Sequence, residues 1–346
     1  MRVFFFVLRM KVRVIGMKQT YYMFSNGTIK RKDNTLELYK EDGMRTSIPI
    51  ERVDDIYIFS EITFNTKLID FLSQYNVCVH FFNYYEYYSG TFYPRERLVS
   101  GRLLVSQVQH YENIAKRVVL AKKIIDAATY NIYRNIRYYN ERGKELEEYI
   151  GQINSLRSGI PTANRIDELM GIEGSIRKIY YRAWNIIINQ DINFEKRVRR
   201  PPDSMINSLI SFLNSMVYTK TLGEIYKTQL NPTISYLHQP GTKRFSLSLD
   251  IAEIFKPLIA DRLIFSLLNK NMIADEDFEK DQCYLKAKPG SLKKITEEFD
   301  KRMKTTIKHR SLDKHVSYQY LIRIELYKLI KHLLDEKEYE PFKIWW

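Results

Sequence analysis

The spacing of apolar residues changes once along this chain, near Arg95. Before that point, short stretches rich in β-branched and aromatic residues alternate with turn residues, a pattern typical of strands. After it, apolar residues recur every three or four positions to about Leu334, which is the spacing of one helix face. The pattern predicts an α+β fold, with a small β-rich domain at residues 17–94 and a larger all-α domain at residues 95–334.

Turn signals subdivide the β-rich part. Asn26-Gly27 and Asp42-Gly43 each stand between strand-forming stretches, and both dipeptides favour the positive φ angles of a two-residue hairpin turn. The amphipathic stretch "NTKLIDFLSQY" predicts one short helix. The β-rich domain should therefore contain two hairpins and a single helix.

The two ends of the chain lie outside this organisation. In residues 1–16 the apolar run extends only from Val3 to Leu8, whereas a transmembrane helix needs roughly twenty apolar residues. Basic residues follow where a signal peptide would offer a small-residue cleavage site, so we expect an N-terminal extension and no export or membrane segment. Residues 335–346 are polar with an aromatic end and are expected to form a loosely held tail.

Charge and cysteine content restrict the partners and the compartment. The formal net charge of +14 favours a polyanionic partner, because Lys and Arg side chains release counterions when they neutralise phosphates. Membrane surfaces are also polyanions, so charge alone does not identify nucleic acid. Cys78 and Cys283 are far apart and outside any CxxC pattern, which favours a reducing, cytoplasmic setting and argues against a thiolate metal site.

Glu173 is the first candidate site residue. It lies at the edge of the apolar stripe of a predicted helix, between Ile172 and Gly174, where a carboxylate either is solvated or points into a cleft. Gly171 and Gly174 each cost about 1 kcal/mol relative to alanine inside a helix. That cost indicates close approach by another backbone or by a ligand.

A basic loop precedes the next apolar helix. Pro201-Pro202 stiffens the helix entry, and Asp203 or Ser204 is a plausible cap. Two interpretations are open: a phosphate clamp at a helix N-terminus, or a solvated basic loop. The basic residues concerned are Lys196, Arg197, Arg199 and Arg200.

The segment "YLHQPGTKRFSLSLDIAEIF", residues 236–255, contains the remaining candidates. Asp250 and Glu253 have the spacing of a helix capping box, which would explain both carboxylates without a metal. However, His238 precedes them in a loop that also carries Lys243 and Arg244. Carboxylate oxygens with one imidazole suit Mn²⁺, and with added water they suit Mg²⁺. Nearby cations would hold a phosphate.

Together these segments resemble the CRISPR-associated adaptation integrases, the metal-dependent nuclease subunits of spacer acquisition. The resemblance rests on three motifs in order and spans about residues 17–342. They are Gly171-Ile172-Glu173-Gly174 with Tyr180-Tyr181; "RRPPDSMINSLISF", which contains Asn207; and Leu237-His238 followed by "SLSLDIAE", Lys256-Pro257 and Asp261-Arg262. Two positions depart from the family pattern: Asn214, where an aromatic residue is common, and Lys256, where arginine is frequent.

The resemblance implies specific roles for these residues. Glu173, His238 and Glu253 would ligate Mg²⁺ or Mn²⁺, with Asp250 beside them as a catalytic helper. The implied DNA-binding residues are Arg199, Arg200, Lys243, Arg244, Tyr181 and Asn207.

The resemblance also implies an activity and partners. The chain would be a DNA endonuclease and integrase of antiviral defence, inserting short double-stranded DNA fragments into CRISPR repeat DNA by attack of a 3′-hydroxyl on a phosphodiester. It would form a homodimer through residues 17–94 and bind a small ferredoxin-like adaptation subunit, with no membrane partner. The alternative is a non-catalytic basic scaffold that binds nucleic acid through Tyr and Arg side chains.

Overall fold

The computed structural model describes residues 18–41, 43–199, 201–242, 244–281, 284–309 and 313–345. The chain divides into two compact units. Unit 1 extends to Tyr84 and includes Ser89–Arg95, and unit 2 consists of Tyr85–Tyr88 and the chain from Glu96 onward. The expected extension at residues 1–16 and the candidate residues Arg200 and Lys243 lie outside the described residues.

The N-terminal part of the chain forms two four-stranded sheets and one helix within the described residues. The strand orders are β1-β5-β7-β8 and β4-β3-β2-β6, and α1 is Thr66–Tyr75. The strands β1 to β8 are Gln19–Met23, Gly27–Lys32, Thr35–Lys40, Arg45–Pro49, Val53–Ile58, Ile62–Thr63, Cys78–Phe82 and Tyr88–Phe92.

One of the two predicted hairpins is confirmed. Strands β3 and β4 pair antiparallel, and Gly43 between them has a φ of +82°. The hairpin predicted at Asn26-Gly27 is wrong, because β1 runs parallel to β5 in one sheet while β2 pairs with β3 in the other. Gly27 is needed for a different reason: a Cβ there would collide with the backbone oxygen of Tyr39 on β3.

The core of unit 1 lies among its sheets and α1. Ile29, Leu36, Ile56 and Phe71 are all buried there. The helix is capped by Asn65, whose side chain accepts a hydrogen bond from the Leu68 N–H at 3.1 Å. The predicted short helix is thus confirmed.

Unit 2 is mostly helical, which confirms the α+β prediction. The described helices α2 to α10 are Gly101–Glu112, Ile114–Asn140, Glu147–Arg157, Ile166–Ile187, Met205–Tyr226, Ser246–Lys256, Arg262–Asn269, Pro289–Lys304 and Tyr318–Leu333. A π-helical turn, Pro257–Asp261, joins α7 to α8. Two small antiparallel ribbons consist of β9 and β10 (Phe278–Asp281, Tyr284–Ala287) and of β11 and β12 (Thr306–His309, Lys314–Ser317).

Two asparagines of α3 hold the elements around it in place. The Asn135 side-chain amide donates to the Tyr180 hydroxyl of α5 at 3.1 Å and to the Pro257 carbonyl at 2.7 Å. The Asn131 amide donates to the Ile254 carbonyl of α7 at 2.9 Å. Both asparagines are fully buried, so α5 and α7 are fixed relative to α3 by satisfied interior hydrogen bonds.

The segment after α10 is well packed, so the prediction of a loosely held tail is wrong. Tyr339 and Ile344 are fully buried. The Ile344 N–H donates to the Asn131 side-chain oxygen at 2.9 Å, and the Phe342 N–H donates to Glu325 at 3.1 Å. The large apolar side chains of this segment contribute to the core of unit 2, and the polar residues between them face solvent.

Among the described residues, no helix combines the length and the apolar character needed to cross a membrane.

Candidate functional site

A cleft of about 770 Å³ opens in unit 2. Its walls come from α5, α6 and α7, from the loops before α6 and α7, and from Tyr87 and Tyr88. The charged and aromatic residues that line it include Glu173, Arg177, Tyr181, Arg197, Arg199, Tyr218, His238, Arg244, Glu253 and Lys256. Most of the candidate residues that the structure describes therefore lie around a single cavity.

Helix α5 brings Glu173 to this cleft. The Glu173 side chain is 14% exposed and accepts a hydrogen bond from Arg177, one turn later on the same helix. The expectation that Gly171 and Gly174 accommodate a neighbouring backbone is wrong, because a Cβ at either position would meet no atom within 4 Å. The glycines instead leave the helix surface beside Glu173 bare.

Helix α7 brings Glu253 to the cleft, and the capping-box interpretation of this segment is wrong. The helix begins at Ser246, so Asp250 and Glu253 both lie within it. Its start is held by the preceding loop: the Ser246 hydroxyl donates to the Thr233 carbonyl at 2.7 Å, and the Leu247 N–H donates to the Pro232 carbonyl at 3.0 Å. The Pro232 carbonyl thus satisfies an N–H group of the first turn, as a side-chain cap would do.

Asp250 is fully buried and holds the loop before α7. Its Oδ2 accepts hydrogen bonds from the backbone N–H groups of Tyr236 at 2.6 Å and Leu237 at 2.9 Å. Its Oδ1 accepts from the His238 backbone N–H at 2.9 Å and pairs with His238 Nδ1 at 2.8 Å. Each carboxylate oxygen therefore has two partners, and this residue positions His238 against α7.

The imidazole of His238 is oriented by this contact. Because a carboxylate can only accept a hydrogen bond from Nδ1, the proton is assigned to Nδ1 and the lone pair to Nε2. His238 lines the cleft, and its side chain is 17% exposed. A carboxylate that holds the far nitrogen of an imidazole is the usual arrangement behind a metal-ligating histidine.

Arg177, which is not among the residues predicted from the sequence, links the two cleft carboxylates. Its Nε contacts Glu173 and its Nη2 contacts Glu253, while Lys256 Nζ donates to the other Glu253 oxygen at 2.6 Å. Burial alone would raise the pKa of Glu253, but Arg177 and Lys256 outweigh that effect and hold its pKa well below its usual range. The four-residue spacing from Glu173 was the available signal, since such pairs meet on one helix face.

A further acidic residue, which the third motif includes but to which the sequence assigns no role, interacts with this cluster. Asp261, in the π-helical turn, is buried, and burial raises the pKa of its carboxyl to about 7. Its partners include the Tyr180 hydroxyl, and it adds negative charge near Arg177.

The basic loop before α6 is braced from within. Asn207 is buried and does not have the expected form of a DNA contact: its amide donates to the Lys196 carbonyl at 3.2 Å and to Asp203 at 2.7 Å. Its oxygen accepts from Arg197 Nη1 at 3.0 Å and from the Val198 N–H at 3.1 Å. The interpretation of Asn207 as a DNA-binding residue is therefore corrected to one that shapes the loop.

Three other DNA-binding candidates lie at the cleft. Arg199 and Arg244 are exposed there, and Tyr181 is partly buried in the wall beside Arg177. Arg199 and Arg244 come from loops before different helices, and both line the cavity. Their exposure leaves both guanidinium groups accessible to a phosphate backbone.

The types of donor suit a divalent cation. Two carboxylates and an imidazole whose second nitrogen is fixed by Asp250 line one basic cleft, with Arg177 between the carboxylates, and carboxylate oxygens with one imidazole suit Mn²⁺ and Mg²⁺. Cationic side chains around such a set accommodate phosphate oxygens. This fold and site define a class of protein: an enzyme that acts on nucleic-acid phosphodiesters.

Comparison with known proteins identifies the family. The family model described as CRISPR associated protein Cas1 matches residues 21–301. The CRISPR-associated endonuclease Cas1 of Fusobacterium nucleatum is 60% identical, covering 96% of this chain and 98% of that protein. A second such endonuclease, from Thermodesulfovibrio yellowstonii, is 50% identical over 95% of this chain and 100% of its own length.

Solved structures agree with this result. A CAS1 protein from Thermotoga maritima matches with a TM-score of 0.82 and 39% identity, over 94% of this chain and 100% of that chain. A casposase bound to an integration product matches with a TM-score of 0.84 at 21% identity, over 94% of this chain and 92% of that chain, which shows a shared fold. The chain belongs to the Cas1 family. The prediction of a CRISPR-associated endonuclease is thereby confirmed at the family level.

The geometry of Asp250 predicts the effect of an isosteric change. In Asp250→Asn, one carboxylate oxygen becomes an N–H₂ group, so either the Tyr236 and Leu237 N–H groups or the two His238 donors lose their acceptor. We expect the free energy of unfolding to fall by about 2–4 kcal/mol, from one or two unsatisfied donors. Urea denaturation measures it, with the exposed Asp191→Asn as the matched control. An unchanged stability would contradict this role.

Proposed function

We propose that this chain cuts and joins DNA during CRISPR adaptation, inserting short double-stranded fragments into repeat DNA. One observation carries the proposal. Carboxylates from two separate helices, α5 and α7, lie within reach of one guanidinium in a basic cleft, beside an imidazole fixed by a buried aspartate. Such a group of ligand-type side chains indicates a function, because taking several charges out of water is costly and ion pairing offsets that cost only in part.

In this proposal Glu173, His238 and Glu253 hold Mg²⁺ or Mn²⁺, and Asp250 positions His238. When bound, the ion supplies positive charge to a non-bridging phosphate oxygen and to the attacking oxygen. The carboxylates come from α5 and α7, which α3 holds in place, so the protein keeps its ligands in a fixed arrangement. Such preorganisation is the main contribution a protein makes to phosphoryl transfer.

The surrounding side chains bind and orient the DNA. Arg199 and Arg244 are exposed at the cleft and are assigned to phosphate oxygens, and Tyr181 to the wall beside the reacting phosphate. Arg200 and Lys243, outside the described residues, are assigned the same phosphate-binding role from the sequence. If the nucleophile is water, a strand is cut; if it is a fragment's 3′-hydroxyl, one phosphodiester replaces another and two DNAs are joined without ATP.

The proposal includes partners and a compartment. The protein acts in the cytoplasm as a homodimer, and it works with a small ferredoxin-like adaptation subunit. Support for these partners comes from membership of the Cas1 family. Support for the DNA partner comes also from the net charge of +14 and from the basic lining of the cleft.

Removal of each proposed ligand tests the assignment. We expect Glu173→Ala, His238→Ala and Glu253→Ala each to slow DNA cleavage and strand joining at least about a hundredfold, because several kcal/mol of charge stabilisation are lost. DNA affinity in EDTA should be unchanged or tighter, since no cationic contact is removed. The exposed Glu297→Ala is the matched control. A variant that keeps near wild-type activity with Mn²⁺ excludes that residue as a ligand.

The bare helix surface beside Glu173 gives an independent test of where DNA passes. Gly171→Ala and Gly174→Ala meet no neighbouring atom, so each should stabilise the protein by about 0.5–1 kcal/mol through helix propensity. If DNA approaches this surface, the added methyl group should nevertheless slow cleavage. Denaturation curves and cleavage rates measure the two effects.

Gly151→Ala is the matched control for this test. Gly151 lies in α4, also with no atom within 4 Å of an added Cβ, but unlike Gly171 and Gly174 it is not next to a residue that lines the cleft. It should give the same stabilisation with unchanged cleavage. Full activity in the Gly171→Ala and Gly174→Ala variants would show that DNA does not contact this face.

The proposed dimer is assigned to the β-rich unit. A symmetric pairing through sheets would set a fixed distance between two active sites, as two insertions at opposite ends of a repeat require. Light scattering should give the mass of a dimer for the full chain and of a monomer for residues 96–346. A dimeric 96–346 fragment would show that the β-rich unit is not the dimerisation element.

A further inference from the structure

Four charged groups at the cleft form one chain of ion pairs. Arg177 contacts Glu173 through Nε and Glu253 through Nη2, and Lys256 Nζ contacts the second Glu253 oxygen at 2.6 Å. All four side chains are at most 14% exposed. Two negative and two positive charges therefore neutralise each other in a mostly desolvated setting, where such pairing is strong.

A divalent cation at the proposed ligands changes this balance. With the cation added, the group of Glu173, Glu253, Arg177 and Lys256 carries a net charge of about +2, and the guanidinium lies close to a like charge. A carboxylate oxygen has room for both the metal ion and a hydrogen-bond donor, so the metal does not exclude Arg177 by occupying its acceptor. The effect on Arg177 comes from the added positive charge. Repulsion between the cation and Arg177 weakens the contacts of Arg177 with both carboxylates.

Once their contacts with the carboxylates are weakened, the Arg177 and Lys256 side chains have another partner available in the same cleft. A guanidinium binds phosphate with the same two-pronged hydrogen bonding that it uses for carboxylate. Arg177 and Lys256 both line the cavity in which Arg199 and Arg244 are exposed. DNA phosphates entering this cavity would restore the charge balance that the divalent cation disturbs.

We propose that Arg177 and Lys256 are exchangeable counter-ions of Glu173 and Glu253: a divalent cation displaces them from the carboxylates, and they then bind DNA phosphate oxygens. Metal binding and DNA binding at this cleft are consequently coupled, and each strengthens the other. The proposal rests on the proposed function, because it takes Glu173 and Glu253 as ligands. It predicts that the protein binds its metal more weakly without DNA than with it.

Mn²⁺ titration of the full-length protein without DNA tests the first half. The probe is Mn²⁺ alone, detected by the electron paramagnetic resonance signal of the free ion. We expect Arg177→Gln to bind Mn²⁺ about tenfold more tightly than wild type, because a competing cation is gone. The control is Arg182→Gln, which removes an exposed arginine of the same helix and should leave the affinity unchanged.

DNA binding with and without Mn²⁺ tests the second half. For a labelled DNA duplex we expect Mn²⁺ to tighten wild-type binding about tenfold or more, and by reciprocity the DNA to tighten Mn²⁺ binding by the same factor. In Arg177→Gln this mutual tightening should fall to about threefold or less. Lys256→Gln should show the same changes at smaller size, because Lys256 pairs with Glu253 whereas Arg177 pairs with both carboxylates.

The outcomes separate this proposal from the proposed function. Weaker Mn²⁺ binding by Arg177→Gln would mean that Arg177 only holds the carboxylates in place, which overturns the exchange while the ligand assignment stands. Equal coupling in variant and wild type also overturns it. If Arg177→Gln does not fold, the Mn²⁺ titration and the DNA-binding measurement on Lys256→Gln test the exchange instead. Mn²⁺ binding that survives Glu173→Ala and Glu253→Ala would instead overturn the proposed function.

Discussion

Four hydrogen bonds to the Asp250 carboxylate hold the loop that carries His238 against α7, and the arrangement of the cleft depends on them. A fully buried carboxylate without such partners would be expensive to keep charged. Because the same helix presents Glu253 one turn later, one rigid element sets the positions of both the imidazole and the second carboxylate. The cleft is thus built around a group that does not itself have to touch a ligand.

The fold was predictable where it follows from periodicity and not where it depends on long-range packing. The change of spacing near Arg95 correctly predicts a β-rich region followed by a helical one. Asn26-Gly27 misleads because a glycine can serve close strand approach as well as a hairpin turn. The packing of Tyr339 and Ile344 has no periodic signal, since an irregular segment buries single side chains in pockets that only the folded structure contains.

At the site, too, some residues could be predicted from the sequence and others could not. The motifs bring out Glu173, His238 and Glu253, and the structure places all three at one cleft. The spacing of Asp250 and Glu253 fits a capping box equally well, and the helix start at Ser246 decides against it. No sequence pattern shows that an arginine reaches from α5 to α7, because the pairing of Arg177 with Glu253 is set by how α3 holds those helices.

The buried side chain of Asn131 affects how the enzyme folds during its synthesis on the ribosome. Asn131 donates to the Ile254 carbonyl, next to Glu253, and also binds the backbone of Phe342 and Ile344. Those two residues are synthesised after every helix they support. The nascent chain therefore lacks the final brace of α7 until this late segment has left the ribosome and docked. The cleft would in this way be complete only after the segment that follows α10 has been synthesised.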